Sequence, residues 1–259
     1  MGKIGLIAGA GELPRAFVEG AARKGREVLV VGVEGISEGD LTVPLGRVGK
    51  LIKLLKKEGV KELVLLGKFE PRLVYASPRS LDLTGLLLYR RLRRKNPEGV
   101  VKTFMEFMQE RGFTFIDPTP YLKELLAPKG LVAGPEPPEE VLKDGLTGFK
   151  VAKELASLDV GQTVVVKEGA VVAVEAMEGT QETIRRAARL AGEGFSVVKA
   201  ARRLQDMRVD VPTVGPETLK AVKEGGGRAL FLEAEKVFIL KPEEVKRMAE
   251  AWGVTVWGL

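Results

Sequence analysis

The first half of the chain alternates short apolar runs with longer segments of helical periodicity. The apolar runs occupy residues 3–8, 27–33 and 62–66, and residues 13–24 and 48–57 between them repeat apolar side chains every three or four positions. Strands buried on both faces read as near-continuous apolar runs, and parallel neighbours need a crossover between them. This β-α-β-α-β order therefore predicts a parallel sheet covered by helices, the architecture of a Rossmann-like α/β domain.

The remainder of the chain predicts further helices and a second domain. Two helices and a short strand are expected next, at residues 80–94, 97–111 and 113–116. A stretch dense in Pro and Gly follows at residues 127–138 and predicts an irregular linker. We therefore expect an α/β protein with an N-terminal Rossmann-like domain, residues 1–130, and a mixed α/β domain, residues 131–259.

The second domain is expected to begin with two helices that flank a β-hairpin, at residues 139–158, 163–174 and 180–190. Glu168 and Gly169 form the predicted hairpin turn, and Thr180 is the predicted N-cap of the second helix. The corner before that helix holds Glu175 and Glu178. Backbone N–H groups at a helix start favour an anion, and nearby carboxylates can hold a divalent cation. The alternative is an ordinary strand-to-helix corner with solvated glutamates.

The chain contains no Cys and no His, which excludes several kinds of active site. Disulfides, thiolate nucleophiles, zinc–thiolate sites, His-ligated zinc and a Ser-His-Asp triad are all ruled out. Catalysis must therefore use carboxylates, Lys, Arg, Tyr, hydroxyls, backbone dipoles or an oxygen-ligated cation. Such a cation is expected to be a hard one, such as Mg²⁺ or Mn²⁺.

The formal net charge of +6 raises the question of nucleic-acid binding. Lys and Arg are spread through the chain and often alternate with Glu, so we expect no nucleic-acid partner. The densest basic block, residues 90–95, suits contact with anionic lipid headgroups equally well. No run of about twenty apolar residues and no apolar N-terminal leader is present, so the expected location is cytoplasmic.

A glycine-rich turn joins the first predicted strand to the first helix. It reads Gly9-Ala10-Gly11-Glu12 and lies where dinucleotide-binding folds carry Gly-x-Gly-x-x-Gly. Pro14 occupies the third glycine position, so the fingerprint is incomplete. The turn indicates a nucleotide or phosphate over a helix N-terminus, and Glu34 keeps an NAD(P)-binding oxidoreductase open as an alternative. A tight turn that needs small residues is the structural explanation.

Residues 205–216 contain the second dense group of charged residues. If residues 207–211 are extended, Asp206, Arg208 and Asp210 share one face because side chains alternate along a strand. That face is either a surface ion-pair ladder, which contributes little to stability, or a functional site. In a functional site Arg208 would bind phosphate while a carboxylate binds metal or activates water.

Four segments together carry a resemblance to a known family. They are IAGAGELP, GQTVVV, EAMEGT and QDMRVDVPTVGP, at residues 7–14, 161–166, 175–180 and 205–216. The chain resembles the DUF1009-type (LpxI-type) UDP-2,3-diacylglucosamine pyrophosphatases of lipid A synthesis over essentially its whole length. The resemblance implies hydrolysis of UDP-2,3-diacylglucosamine to UMP and 2,3-diacylglucosamine 1-phosphate (lipid X), with Mg²⁺ as cofactor and Mn²⁺ or Co²⁺ as alternatives. It also implies a homodimer with lipid bound between two domains. The basic block at residues 90–95 would then keep the enzyme in peripheral contact with the inner membrane.

The same resemblance implies roles for individual residues. Asp210 is the first candidate for the essential aspartate and Asp206 the second, and Arg208 is expected to bind the phosphates. Glu175, Glu178 and Asp210 are the candidate metal ligands. The candidate substrate contacts are Gly9, Ala10, Gly11, Glu12, Gly179, Thr180 and Lys199. A non-catalytic module that binds a nucleotide sugar or lipid is a further alternative.

A leucine-rich segment at residues 81–92 has two interpretations. It includes Leu83, Leu86, Leu87 and Leu88. These side chains could line an apolar cleft for acyl chains, or the segment could be a buried packing helix, which the spacing favours.

Overall fold

The structure, a computed structural model, describes residues 2–69, 81–92, 97–202 and 206–259. The chain forms two compact units. The first comprises residues 1–123 and 206–210, and the second comprises residues 124–205 and 211–259. No helix within the described part of the chain is long and apolar enough to cross a membrane.

The first unit is built on a parallel sheet. Its strands are β1 (Ile4–Ala8), β2 (Val28–Val33), β3 (Leu41–Val43), β4 (Glu62–Leu66) and β5 (Thr114–Phe115). They lie in the order β3-β2-β1-β4-β5, and every neighbouring pair is parallel. The helices are α1 (Leu13–Arg23), α2 (Val48–Lys57), α3 (Leu83–Arg91), α4 (Pro97–Gln109) and α5 (Thr119–Leu122). The predicted Rossmann-like α/β architecture is confirmed.

The central strand explains why the sequence of this unit reads as it does. Every residue of β1 is buried, since β2 and β4 flank it and helices cover the sheet. One face packs into a core that includes Leu55, Leu63, Phe107 and Met108. Val209, which is distant in sequence, also packs against this core. The turn at residues 206–210 is therefore part of the first unit.

The second unit contains a mixed sheet. Its strands are β6 (Gly130–Ala133), β7 (Thr163–Lys167), β8 (Ala170–Val174), β9 (Ser196–Lys199), β11 (Ala229–Leu232) and β13 (Thr255–Gly258), with a separate parallel pair β10 (Thr213–Val214) and β12 (Phe238–Ile239). The order is β6-β13-β11-β9-β7-β8, in which β13, β11 and β9 are parallel and the others are antiparallel to their neighbours. The helices are α6 (Glu139–Ser157), α7 (Thr180–Ala191), α8 (Pro216–Glu224) and α9 (Pro242–Trp252). The predicted mixed α/β domain is confirmed.

The predicted hairpin is also confirmed, but two local predictions nearby are wrong. Glu168 and Gly169 turn the hairpin with φ of 50° and 79°, the left-handed conformations that a two-residue turn requires. The stretch at residues 127–138 is not wholly irregular, because it contains β6, which pairs with β13. Thr180 is not the N-cap of α7. Gly179 takes that place with φ of 83°, a conformation that a β-branched residue avoids.

The leucine-rich helix α3 is not a buried packing helix. Gly85 is its one buried residue, whereas the side chains of Leu83 and Leu87 are 84% and 52% exposed. The ends of the helix predicted at residues 80–94, and the basic residues 93–95, lie outside the described residues.

Candidate functional site

A buried lysine lies at the carboxyl edge of the second sheet. Lys199 is the last residue of β9, and only 8% of it is exposed. The carboxyl ends of parallel strands commonly form ligand sites. Its Nζ donates to Thr180 Oγ1 at 2.8 Å and approaches Thr163 Oγ1 at 3.5 Å. The Thr180 hydroxyl in turn donates to Glu175 Oε1 at 2.9 Å. Lys199, Thr180 and Glu175 thus form one hydrogen-bond chain.

Three structural features hold the hydrogen-bonded side chains of Lys199, Thr180 and Glu175 in place. The antiparallel register of β7 and β9 sets Thr163 opposite Lys199. Glu175 directly follows β8, and its backbone N–H donates to the Thr163 carbonyl at 2.8 Å. Its other carboxylate oxygen, Oε2, accepts from the Gln162 N–H at 3.2 Å. Thr180 is the first residue of α7, so the site adjoins a helix N-terminus.

The surroundings of Lys199 favour an anion. Its hydrogen-bond partners are hydroxyls, and within the described part of the chain it forms no ion pair with a carboxylate. A buried positive charge without an ionic partner is costly, and a bound anion would offset that cost. The partial positive charge at the start of α7 acts in the same direction.

The Glu178 carboxylate is hydrogen-bonded to residues of the same strand-to-helix corner and of α7. Its Oε1 accepts from the Arg186 guanidinium at 2.6 Å and from the Thr183 hydroxyl at 3.2 Å, and its Oε2 accepts from the Ala176 N–H at 3.1 Å. These contacts, together with a hydrogen bond from its own backbone N–H as the largest cause, lower the pKa of Glu178. The carboxylate is therefore held ionised and oriented by the corner itself.

Residues 206–210 form a turn, so the condition that residues 207–211 are extended is not met. The N–H groups of Val209 and Asp210 donate to the Asp206 carbonyl at 2.9 and 3.1 Å. The Asp206 carboxylate accepts from the backbone N–H of Arg208 at 3.0 Å, and from its Nε and Nη2 at 2.9 and 2.8 Å. An Asp side chain that binds the backbone two residues ahead favours a turn over a strand.

The turn has two charged neighbours that the sequence did not reveal. The Arg208 guanidinium is the main cause of the lowered pKa of Asp206, and the Lys102 ammonium adds to it. Asp206 raises the pKa of Arg208, with a smaller contribution from Asp117. Asp117 could have been suspected, since it follows β5 at the carboxyl end of a parallel strand. Lys102 lies within α4, where no local pattern distinguishes it from other surface lysines.

The glycine-rich turn is closed by backbone hydrogen bonds. The N–H groups of Gly9 and Ala10 donate to the carbonyls of Leu66 and Lys68 at 2.7 and 2.9 Å. A Cβ on Gly9 would lie 2.8 Å from the Lys68 carbonyl oxygen. Close packing thus explains why position 9 requires glycine, and the explanation needs no bound ligand. Gly11, with φ of 104°, and Glu12, at the N-cap of α1, stay as the predicted phosphate contacts here.

The structure brings some predicted residues together and not others. Lys199, Thr180 and Glu175 share one hydrogen-bond network in the second unit, and Gly179 and Glu178 adjoin it. The turn with Asp206, Arg208 and Asp210 belongs to the first unit, as does the turn at residues 9–12. Among the described residues, no three carboxylates converge as metal ligands. Metal binding by Glu175, Glu178 and Asp210 stays a prediction.

Comparison with known proteins covers nearly the whole chain. Residues 3–125 match the family model of the LpxI N-terminal domain, and residues 128–257 match that of the LpxI C-terminal domain. The UDP-2,3-diacylglucosamine pyrophosphatase LpxI of Caulobacter vibrioides is 30% identical, in an alignment that covers 100% of this chain and 98% of that protein.

Proposed function

Because the chain belongs to the LpxI family, we propose that it is a hydrolase that cleaves UDP-2,3-diacylglucosamine into UMP and 2,3-diacylglucosamine 1-phosphate. The observation that carries this proposal is full-length similarity to a relative named for that activity. The resemblance noted from sequence is confirmed, and it favours the hydrolase over an oxidoreductase or a non-catalytic binding module.

The Lys199 site is proposed to bind a phosphate of the substrate. A pyrophosphate carries negative charge on its non-bridging oxygens, and this charge increases on the leaving oxygen as the bridge breaks. The buried ammonium of Lys199 and the start of α7 supply fixed positive charge without reorganisation. Thr180 and Glu175 hold the ammonium in position through their hydrogen bonds.

The turn at residues 206–210 is proposed to carry the catalytic carboxylate. In hydrolysis a water oxygen adds to one phosphorus, the bridging oxygen leaves with the other product, and one proton must leave the water. Asp206 is engaged in three hydrogen bonds with Arg208, so its role is to position that guanidinium toward phosphate. Asp210, the first candidate for the family's essential aspartate, is the carboxylate that we assign to proton removal.

The cation requirement is proposed from the family resemblance alone. The oxygens of Glu175 and Glu178 accept hydrogen bonds from their own corner, and the described residues form no group of three converging carboxylates. This arrangement does not fit a preformed cation cage, and no step above is routed through a cation. Dependence on Mg²⁺, Mn²⁺ or Co²⁺ is tested directly by adding each metal or EDTA.

The deciding experiment is UMP release from UDP-2,3-diacylglucosamine. We expect release with at least one divalent metal, little with EDTA, and a loss of about 10²-fold or more in Asp210→Asn. Asp159→Asn, at an exposed aspartate of the second unit, is the control. Absence of UMP under every metal condition would refute the proposal, and tight UDP-sugar binding without turnover would favour a binding module. Normal turnover by Asp210→Asn would remove that residue from the mechanism.

We extend the proposal to a homodimer in the cytoplasm with peripheral contact to the inner membrane. The homodimer follows from the family resemblance, whereas the location and the membrane contact are expectations drawn from the sequence. Sedimentation of the purified protein tests the dimer, and fractionation of cells tests the location. A monomer at assay concentration would refute the first feature, and recovery outside the cytoplasmic and membrane fractions would refute the second.

A further inference from the structure

Helix α3 exposes apolar side chains on one face. Leu83 and Leu87 lie one helical turn apart and are 84% and 52% exposed. Arg90 continues the same face at the next turn and is exposed as well. Leu88 faces the other way and packs against the core of the first unit. Leu88 therefore anchors α3 to the first unit, while Leu83 and Leu87 remain exposed to solvent.

The orientation of α3 is fixed at its N-terminus by Asp82. Its Oδ1 accepts from the Gly85 N–H at 2.7 Å, while its Oδ2 accepts from the N–H groups of Gly49 and Lys50 at 2.8 and 3.2 Å. A Cβ at Gly85 would lie 2.3 Å from the Gly46 carbonyl oxygen, so the two segments are in direct contact. The start of α2 therefore lies beside the start of α3, and the exposed face cannot turn inward.

Exposed basic residues lie on α3 and on the segment that it contacts. Leu45, Arg47 and Lys50 in the contacting segment are all exposed. Residues 45–50 and 81–92 together contain four basic residues and one acidic residue, Asp82, whose carboxylate is committed to backbone N–H groups. One of the four, Arg91, pairs with Glu110. The surface therefore combines exposed leucines with a net positive charge.

We propose that this surface docks on a bilayer that contains anionic lipid. We call it the α3 surface; its residues are Leu45, Leu83, Leu87, Arg47, Lys50 and Arg90. Exposed leucines on a helix enter the boundary between headgroups and acyl chains, while Lys and Arg are attracted to anionic headgroups. The net positive charge of the surface selects this occupant, because it complements an anionic membrane. The inference identifies the membrane contact of the proposed function, but its argument rests on exposure and charge alone.

The test is cosedimentation of the full-length protein with vesicles, without substrate. We expect binding to phosphatidylcholine vesicles that contain phosphatidylglycerol, weaker binding in high salt, and little binding to pure phosphatidylcholine. The variant Leu83→Ser/Leu87→Ser should reduce the partition coefficient by about tenfold or more. The matched control is Leu158→Ser/Leu190→Ser, which changes leucines of the second unit that are 71% and 67% exposed. This control should bind like the wild type.

Several outcomes would overturn the proposal. Equal binding by the α3 variant and the wild type would exclude the leucines, and failure of the wild type to bind anionic vesicles would exclude the surface. If the variant alters only the oligomeric state in sedimentation, the face is an interface between copies and not a membrane surface. Since no substrate is present, none of these results bears on hydrolysis, and absence of UMP release leaves the vesicle result standing. Far-ultraviolet circular dichroism confirms that each variant is folded.

Discussion

Replacing Thr180 by Val removes one hydroxyl from the centre of the Lys199–Thr180–Glu175 chain. The two side chains have nearly the same shape, so the substitution opens little space at this buried position. Three hydrogen bonds are lost: the one from Lys199 Nζ at 2.8 Å, the one to Glu175 Oε1 at 2.9 Å and the one shared with Thr163 Oγ1 at 3.3 Å. The perturbation is therefore almost purely polar.

The cost falls mainly on Lys199. Glu175 keeps its bond from the Gln162 N–H, whereas Lys199 keeps only the long 3.5 Å contact with Thr163. A buried polar group without a partner costs about 1–3 kcal/mol, and a charged one costs more. We expect the free energy of unfolding of the second unit to fall by about 3 kcal/mol. Thr180→Ser keeps the hydroxyl and loses one methyl group, so it should cost about 1 kcal/mol.

Tryptophan fluorescence during urea unfolding measures this effect. The chain has two tryptophans, Trp252 and Trp257, and both belong to the second unit, so the signal reports the unit that carries the change. Adding Lys199→Met to Thr180→Val removes the unpaired charge and should recover about 2 kcal/mol. A cost of Thr180→Val below about 0.5 kcal/mol, or strictly additive losses in the double variant, would refute the reasoning.

Three further predictions concern the first unit. Asp206→Asn removes the negative charge that pairs with Arg208 and one of the two oxygen acceptors. Because the folded-state pKa of Asp206 is lowered from 3.8, its contribution to stability is present above that value and is lost as the pH falls through the folded pKa. The difference in unfolding free energy between wild type and variant should therefore shrink below about pH 4, and a constant difference would contradict this. Val209→Ala should weaken hydrogen-exchange protection of β1 and β4 by about 1 kcal/mol, and unchanged protection would contradict core packing by Val209. Gly9→Ala should destabilise the unit by about 1–3 kcal/mol in thermal unfolding, since its Cβ would meet the Lys68 carbonyl; an unchanged melting temperature would contradict close packing.

The architecture of the first unit could be predicted because its pattern is local. Apolar runs marked the strands, and helical periodicity with a following glycine marked the helices. Gly25 and Gly59 end the first two helices with φ of 66° and 69°, as glycine does at helix ends. Helix α2 and strand β4 occupy the predicted residues. Each of these elements is specified within a window of ten to twenty residues, in which burial and backbone preference agree.

Strand β6 could not be predicted because its partner is distant. Its four residues pair with β13, more than 120 positions later in the chain, and no local alternation reveals that pairing. Gly130 and Gly134 have φ of 82° and 78°, so glycines at its start and just beyond its end adopt left-handed conformations. The same glycines made the sequence look like a linker. Glycine density indicates turns, and it does not exclude a short strand between them.

The sequence predicts the individual residues of the Lys199 site, but it does not predict the hydrogen bonds that connect them. Glu175 and Thr180 came from a strand-to-helix corner, and Lys199 came from a separate segment. Their hydrogen bonds depend on the register that sets Thr163 opposite Lys199, a property of the folded sheet. Sequence reasoning could therefore identify suitable residue types without showing that a threonine hydroxyl links the ammonium to the carboxylate.

Residues 206–210 lie between two segments of the second unit in the sequence, yet they belong to the first unit. Position along the chain therefore does not show which unit contains a functional residue. Its sequence alternates charged and apolar residues, as a strand would, yet the Asp206 carboxylate binds the backbone of Arg208 and bends the segment. Val209 then packs into a core whose other members are drawn from residues 7–115. The side chains that pack against Val209, and so help to position the neighbouring Asp210, lie at least 90 positions earlier in the chain. A catalytic role for Asp210 would therefore depend on the first unit as directly as the proposed phosphate binding at Lys199 would depend on the second.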